Sequence, residues 1–211
     1  MISYHNDKKL KTSIVKEMKL HQKQDRFIKG SYSKINGGFH GCAVGCAIDS
    51  MNKVLKKEYA YDNHVNFEEA IGVPEWLARL SDTLFEGLPS RENSQFAVDF
   101  LKAIPVGIDL EPIKWHFCSF ILSENIERVL KLKIDDELKE KVVSAIRQCL
   151  AVHENAIKTG GWDESAARSA ESAAWSAARS AAGSAAGSAA WSAEREWQVA
   201  RLLDYLYGRA K

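Results

Sequence analysis

The residue types best suited to chemistry concentrate in "GGFHGCAVGCAIDS", residues 37–50. Gly37, Gly38, His40 and Gly41 lead into Cys42 and Cys46, which stand four positions apart, and the apolar pattern then turns helical. Three chemistries fit this spacing. In the first, a helix begins at or just after Gly41 and Cys42 lies in its first turn. Free backbone N–H groups and the helix dipole there stabilise a thiolate, a known route to a reactive cysteine. Such a nucleophile needs a base within hydrogen-bond reach, and His40, His64 and His116 are the candidates. His116, in "KWHFCSF", has apolar neighbours whose burial would tune it. Against this stands the commoner buried structural cysteine.

The second chemistry is anion binding, which needs no catalytic partner. Gly37, Gly38 and Gly41 permit close backbone approach, the helix N-terminus supplies donors, and Lys29 and Lys34 lie just upstream. The pattern is neither G-x-G-x-x-G nor a P-loop, because no G-K-[ST] follows, so the expected site is a generic one. It comprises Gly37, Gly38, His40, Gly41, Cys42 and Lys34. Glycine placed for tight helix packing is the competing account. The third chemistry, zinc on Cys42 and Cys46 with His40 nearby, is weak because no second C-x-x-C or H-x-x-x-H accompanies it. Neither a metal nor a cofactor is therefore expected.

The elements that position these residues read as helices. "NDKKLKTSIVKEMKLHQKQDRFIKG" sets Leu10, Ile14 and Met18 on one face among lysines, and Gly30 closes the pattern. "CAVGCAIDSMNKVLKKE" is a second helix, and 59–72 reads as irregular with a turn at "NFEEAIG". "VPEWLARLSDTLFEG" has Pro74 at its start, Leu77, Leu80 and Leu84 in one stripe, and Gly87 at its end. "SRENSQFAVDFLKAI" is stopped by Pro105. "EPIKWHFCSFIL" reads as a short buried core helix, and Ser123 as the N-cap of a new one. The helix in "DDELKEKVVSAIRQCLAVHENAIKTGG" carries Leu138, Val142, Ile146, His153 and Ile157 on one broad face and ends at Gly160 and Gly161. No segment alternates at period two for long enough to predict a strand. The expected fold is all-α, with seven to nine helices and no sheet of three or more strands.

From Ser165 the chain repeats S-A-A-x with one deletion, and fourteen Ala and eight Ser fill residues 163–195. Alanine is the best helix former, so a helix is expected, although heptads are absent and a coiled-coil seam is excluded. Gly183 and Gly187 form a small-xxx-small notch able to meet another backbone closely, within the domain or as a homodimer contact. A continuous helix from Asp163 to Gly208 would run roughly 70 Å, against a radius of gyration of about 17 Å for a compact domain of this size. It would kink at the glycine pair or project. Residues 1–161 are thus expected as a helical core domain, and 162–211 as a repeat helix packed on it or projecting from it.

Composition narrows the function classes. The 211 residues can bury a substantial core, and the net charge of +1 supplies no global field for nucleic acid or membrane. Charge is polarised locally. Residues 1–34 hold eight Lys and one Arg against three acids, and residues 58–99 hold nine acids against two Arg. No apolar run reaches membrane-spanning length, and "MISYHNDKKLKTSIVKEMK" lacks the core of a signal peptide. Four cysteines in such a chain fit thiols in a reducing cytoplasm.

"HGCAVGC", "GVPEWLARLSDTLFEGLP" and the SAA repeats, in this order, resemble an uncharacterised family of bacterial and phage proteins. The resemblance covers most of the chain and brings no catalytic residues with it. It implies a cytoplasmic setting, a mobile-element origin, and action by binding or sequestering a host factor. The leading expectation is a non-enzymatic binding module holding an anionic, nucleotide-like small molecule, or the acidic group of a host protein, at the glycine–cysteine loop. The alternatives are a cysteine-nucleophile hydrolase or transferase using Cys42 with His116 or His40, and an interaction protein acting through its C-terminal helix.

Overall fold

The computed structural model describes residues 1–181, 197–204, 206 and 207. It is all-α, as expected, and adds one two-stranded hairpin among the described residues that the sequence did not predict. The chain forms two compact units, Met1–Glu111 with Ser188–Lys211, and Pro112–Gly187. This division does not coincide with the expected break after residue 161. The Gly183–Gly187 notch, with its dimer contact and kink, lies outside the described residues, as does much of the repeat.

The first unit contains a 3-10 turn (Ser3–Asn6), α1 (Lys8–Lys23), the hairpin β1 (Lys34–Ile35) and β2 (Phe39–His40), α2 (Ala43–Leu55), α3 (Asn66–Ile71), α4 (Glu75–Gly87) and α5 (Ser90–Ala103). Helical residues 197–204 belong to it, with Leu202 and Leu206 buried. Asp7 caps α1 by accepting from the N–H groups of Lys9 at 2.7 Å and Leu10 at 3.2 Å. Ile14 and Met18 then fall on the buried face, and α1 packs on α2 and α5. The helix stops at Lys23 rather than running toward Gly30. Asp25 turns left-handed at φ 53°, and the chain leaves to pair with the start of α2. The residues read as irregular before Gly72 include the short helix α3.

Leucines at i and i+7 explain why α4 docks: Leu77 and Leu84 are fully buried against neighbours that include α2 and α5. At the end of α5, carbonyls without helical partners are taken up by the N-terminal segment. Tyr4 Oη donates to the Leu101 carbonyl, Lys11 Nζ to that of Ile104 and Ser3 Oγ to that of Pro105, each at 2.6 Å. Tyr4 and His5 both have φ 49°, and Asn6 has φ 60°. Left-handed backbone costs roughly 1–2 kcal/mol per residue, which the complete burial of the Tyr4 ring offsets.

A buried polar contact ties α1 to α2. His21 Nε2 lies 3.0 Å from Asp49 Oδ2, and Lys53 Nζ reaches the same oxygen. Burial opposes ionisation of Asp49, but His21 and Lys53 outweigh it and hold the carboxyl below its usual range. A depressed folded-state pKa contributes stability above the unfolded value and loses it as pH falls through the folded one. Asp49→Asn should therefore destabilise this unit by about 1–3 kcal/mol at pH 7. Urea midpoints of the two proteins, measured from pH 7 downward, should converge as the parent's own carboxylate becomes protonated. A gap unchanged at acid pH would show that the charge does not stabilise the contact.

The second unit is a run of three helices, α6 (Ile113–Lys131), α7 (Asp136–Thr159) and α8 (Glu164–Ala181), with α7 packed against both others. Here two expectations need correction. The segment from Ile113 is neither a buried core helix nor interrupted at Ser123. It is one helix, with Phe117 its buried side chain. Nothing at Ser123 breaks the helix, because Ser123 Oγ donates to the Ser119 carbonyl at 2.9 Å and is satisfied in mid-helix. On α7 the buried positions are Val143, Ala145, Val152 and Ala156, so the face is rotated from the one predicted. His153 and Ile157 flank that seam at half-burial. Gly160 ends α7 at φ 69°, as its sequence foretold.

Candidate functional site

Gly41 and Gly45 organise the site by what they leave room for. A Cβ on Gly41 would lie 2.4 Å from the Tyr32 carbonyl oxygen, and one on Gly45 only 1.7 Å from it. Residues 26–33 therefore lie across the first turn of α2, pressed into a groove that only glycine permits. Hydrogen bonds fix the crossing: Gly41 N–H donates to the Arg26 carbonyl at 3.0 Å, and Cys42 N–H to that of Ser31 at 2.8 Å. The glycine–cysteine sequence thus serves first as a packing surface.

That crossing segment presents Gly30 and Tyr32 to α4. Gly30 N–H is shared by the two carboxylate oxygens of Glu86, at 3.0 and 3.1 Å. Lys29 Nζ donates to the carbonyls of Glu86, at 2.9 Å, and Leu88, binding the last turn of α4. Tyr32 Oη donates to Asp82 Oδ2 at 3.2 Å. His64 Nε2 lies 3.2 Å from the same oxygen, its ring edge-on to Tyr32 with centroids 5.8 Å apart. His64 is buried, so its polar edge is committed to Asp82. The other oxygen, Asp82 Oδ1, is buried and receives no hydrogen bond.

Asp82 and Glu86 stand one turn apart on α4, and both face Cys42. The Cys42 sulfur and one oxygen of each carboxylate all lie within 4.8 Å of one another. Beside them is a cavity of about 320 Å³ lined by Gly30, Ser31, Tyr32, Cys42, Asp82 and Glu86. Cys42 is the N-cap residue of α2, with extended backbone at φ −67° and ψ −176°. Burial pushes its thiol up to about 12, Asp82's negative charge adds to the shift, and the N–H groups of Gly45 and Val44 offset only part of it. This reverses the sequence-based expectation of a stabilised thiolate. A helix N-terminus lowers a thiol's pKa when water or a cation shares the site, and here a carboxylate and desolvation win.

The other predicted site residues lie elsewhere. Gly37 and Gly38 make the positive-φ turn of the β1–β2 hairpin, with Asn36 N–H donating to the Gly38 carbonyl at 3.1 Å. Lys34 is exposed on β1. His40 is half-buried on β2, its Nδ1 3.2 Å from the Gly38 carbonyl oxygen. Cys46 Sγ donates to the Gly41 carbonyl at 3.4 Å and is not among the donors gathered around Cys42. His116 belongs to the second unit and is exposed on α6, not buried as its apolar neighbours suggested. Of the residues expected from the sequence, Cys42 alone lines the cavity, with Gly41 directly behind it.

Asp82 and Glu86 were not predicted as site residues. Their signal is the i, i+4 spacing in "SDTLFEG", beside the apolar stripe that docks α4. The sequence marks His64 only as a candidate base, and nothing in it marks Tyr32. All four cysteines are free thiols, and no helix among the described residues is long and apolar enough to cross a membrane. Comparison of the chain with protein families, curated proteins and solved structures yields no match.

Proposed function

We propose that this protein is a binding module whose ligand is cationic and is held in the cavity between the start of α2 and α4. The observation that carries the reading is the convergence of the Cys42 thiol with two carboxylates within 4.8 Å. Carboxylates that close repel one another whenever both are ionised. A bound cation removes that repulsion.

The same geometry argues against the anionic ligand expected from the glycine-rich loop. The N–H groups of Gly41 and Cys42 are spent on the Arg26 and Ser31 carbonyls, and those of Gly45 and Val44 face the Cys42 sulfur. An entering anion would meet Asp82 and Glu86 instead of donors. The nucleophile alternative loses support as well. The side chain set beside the thiol is Asp82, which stands between Cys42 and His64, and a carboxylate is too weak a base for a thiol raised this far.

Cations at a hundred times their dissociation constant should stabilise the fold by about 2.7 kcal/mol, which for a chain of this size is a rise of roughly 5–10 °C in Tm. Thermal unfolding with divalent metals and with organic amines, against phosphate and nucleotides, checks this. Asp82→Asn should remove most of the response. Stabilisation by phosphate, with none from any cation, would return the site to the anionic reading.

A further inference from the structure

We infer that the cation is a divalent metal ion of borderline softness, zinc being the best chemical match, ligated by Cys42 Sγ, Asp82 Oδ1 and one oxygen of Glu86. This rests on the cationic reading of the cavity and narrows it to one class of ligand.

The donor set discriminates among cations. Magnesium and calcium take oxygen ligands only, and an ammonium or guanidinium group gains nothing from a buried sulfur. One sulfur with two carboxylate oxygens suits zinc, which accepts all three donor types in an approximately tetrahedral shell. At ordinary zinc–sulfur and zinc–oxygen lengths, neighbouring donors stand roughly 3.4–3.6 Å apart. The three donors already lie within 4.8 Å of one another, so closing on an ion asks for movement of side-chain ends by about an ångström.

A second observation points to the same ligand independently of the cluster's composition. Metal-binding carboxylates are held by outer hydrogen bonds that leave one oxygen free. Asp82 Oδ2 takes both Tyr32 Oη and His64 Nε2 at 3.2 Å, whereas the buried Oδ1 accepts from neither and has no donor. A buried carboxylate oxygen without a partner is costly, and a metal ion would satisfy it. Glu86 is oriented from behind by Gly30 N–H, which its two oxygens share. Those outer partners sit on the crossing segment and on the loop before α3, so the groove at Gly41 and Gly45 builds the site indirectly.

Binding breaks the Cys42 S–H bond, releases its proton to solvent and forms a metal–sulfur bond, with no change of oxidation state. Thiolate and two carboxylates carry three negative charges against the ion's two positive ones. A neutral fourth ligand such as water therefore suits the cavity side. Three protein ligands with one position open is the arrangement of zinc sites that act on a bound molecule, rather than of closed structural sites.

The test uses the full chain, stripped of metal, reduced and without an affinity tag. Cobalt(II) titration should saturate at one ion per chain and give an intense near-ultraviolet thiolate-to-metal band, which zinc then bleaches by displacement. Cys42→Ser should abolish that band and weaken zinc binding at least ~100-fold, while Cys118→Ser leaves both unchanged. Glu86→Gln should keep the band and weaken binding by more than ~10-fold. Far-UV circular dichroism confirms that each variant is folded, and the parent titration stands without any variant. A cobalt complex lacking the thiolate band, or tighter binding of magnesium or calcium than of zinc, overturns the assignment. Stabilisation by spermidine or arginine but by no metal overturns the metal and leaves the cationic pocket standing. No response to either class overturns both.

Discussion

Gly45→Ala is expected to be the most damaging single-methyl substitution in the glycine–cysteine segment, lowering stability by about 3 kcal/mol or more. The added Cβ would sit 1.7 Å from the Tyr32 carbonyl oxygen and 2.7 Å from its carbonyl carbon. Those atoms are backbone and cannot rotate away. Relief requires residues 26–33 to lift off α2, which costs the bonds from Gly41 to Arg26 and from Cys42 to Ser31. Overpacking in a close-packed region typically costs 1–3 kcal/mol, and a clash with fixed backbone lies at or beyond the top of that range. Helix propensity works the other way, since Ala exceeds Gly by about 1 kcal/mol in a helix interior, so the net sign decides between two accounts of the glycine. Chemical denaturation gives the answer directly. A fall in Tm of roughly 6–12 °C fits the clash, whereas a gain in stability would mean that the segment does not lie in the groove. Gly37→Ala, at an open hairpin turn with φ 67°, should cost less, because only backbone strain is at stake.

How legible was this arrangement? Elements whose boundaries are set by local chemistry were readable. Pro74 and Gly87 bracket α4, Pro105 follows α5, and Gly160 ends α7 in left-handed conformation. Boundaries that depend on distant partners were not. The end of α1 is set by pairing of residues 26–28 with Gly41, and no pattern within "HQKQDRFIKG" announces it. On α6, two adequate local signals, an apolar run and a serine, gave the wrong division because a serine can bond back to its own helix.

The site was half legible for the same reason. Cys42 stood out because glycines surround it, yet those glycines answer to the Tyr32 backbone rather than to a ligand. In the sequence, Asp82 and Glu86 carry no mark beyond their place beside the apolar stripe of α4. Only the packing of α4 beside α2 turns them toward a thiol from a different part of the chain. Local charge was misleading in a further respect. Lys11 and Lys29 of the basic N-terminal stretch reach helix-end carbonyls, so they neither form an anion site nor neutralise the acidic pocket directly.

In the metal-free protein, Cys42 is expected to be nearly inert to alkylation, the opposite of what its place at a helix start suggests. A thiol pushed up to about 12 is ionised at pH 7.5 to a few parts in 10⁵, whereas a free thiol near 8.5 is ionised to about one part in ten. The ratio alone slows iodoacetamide on the order of 10³-fold, before restricted access to a residue only 2% exposed is counted. Cys46, equally buried, is raised as well, by desolvation and the neighbouring Cys42. Cys118 and Cys149 are half-exposed, and burial raises both more mildly. Cys149 should therefore label ahead of Cys42, as mass spectrometry of timed, quenched samples would read site by site. Because the thiolate is the reactive species, Cys42 labelling should still rise about tenfold per pH unit from 7 to 9 in the folded protein. Asp82→Asn removes the adjacent charge without exposing the sulfur, so it should speed that labelling while leaving Cys149 unchanged. If Cys42 instead labels first at pH 6, a cation-like environment exists around the sulfur that Asp82 and burial do not provide. The nucleophile reading would then displace the binding one.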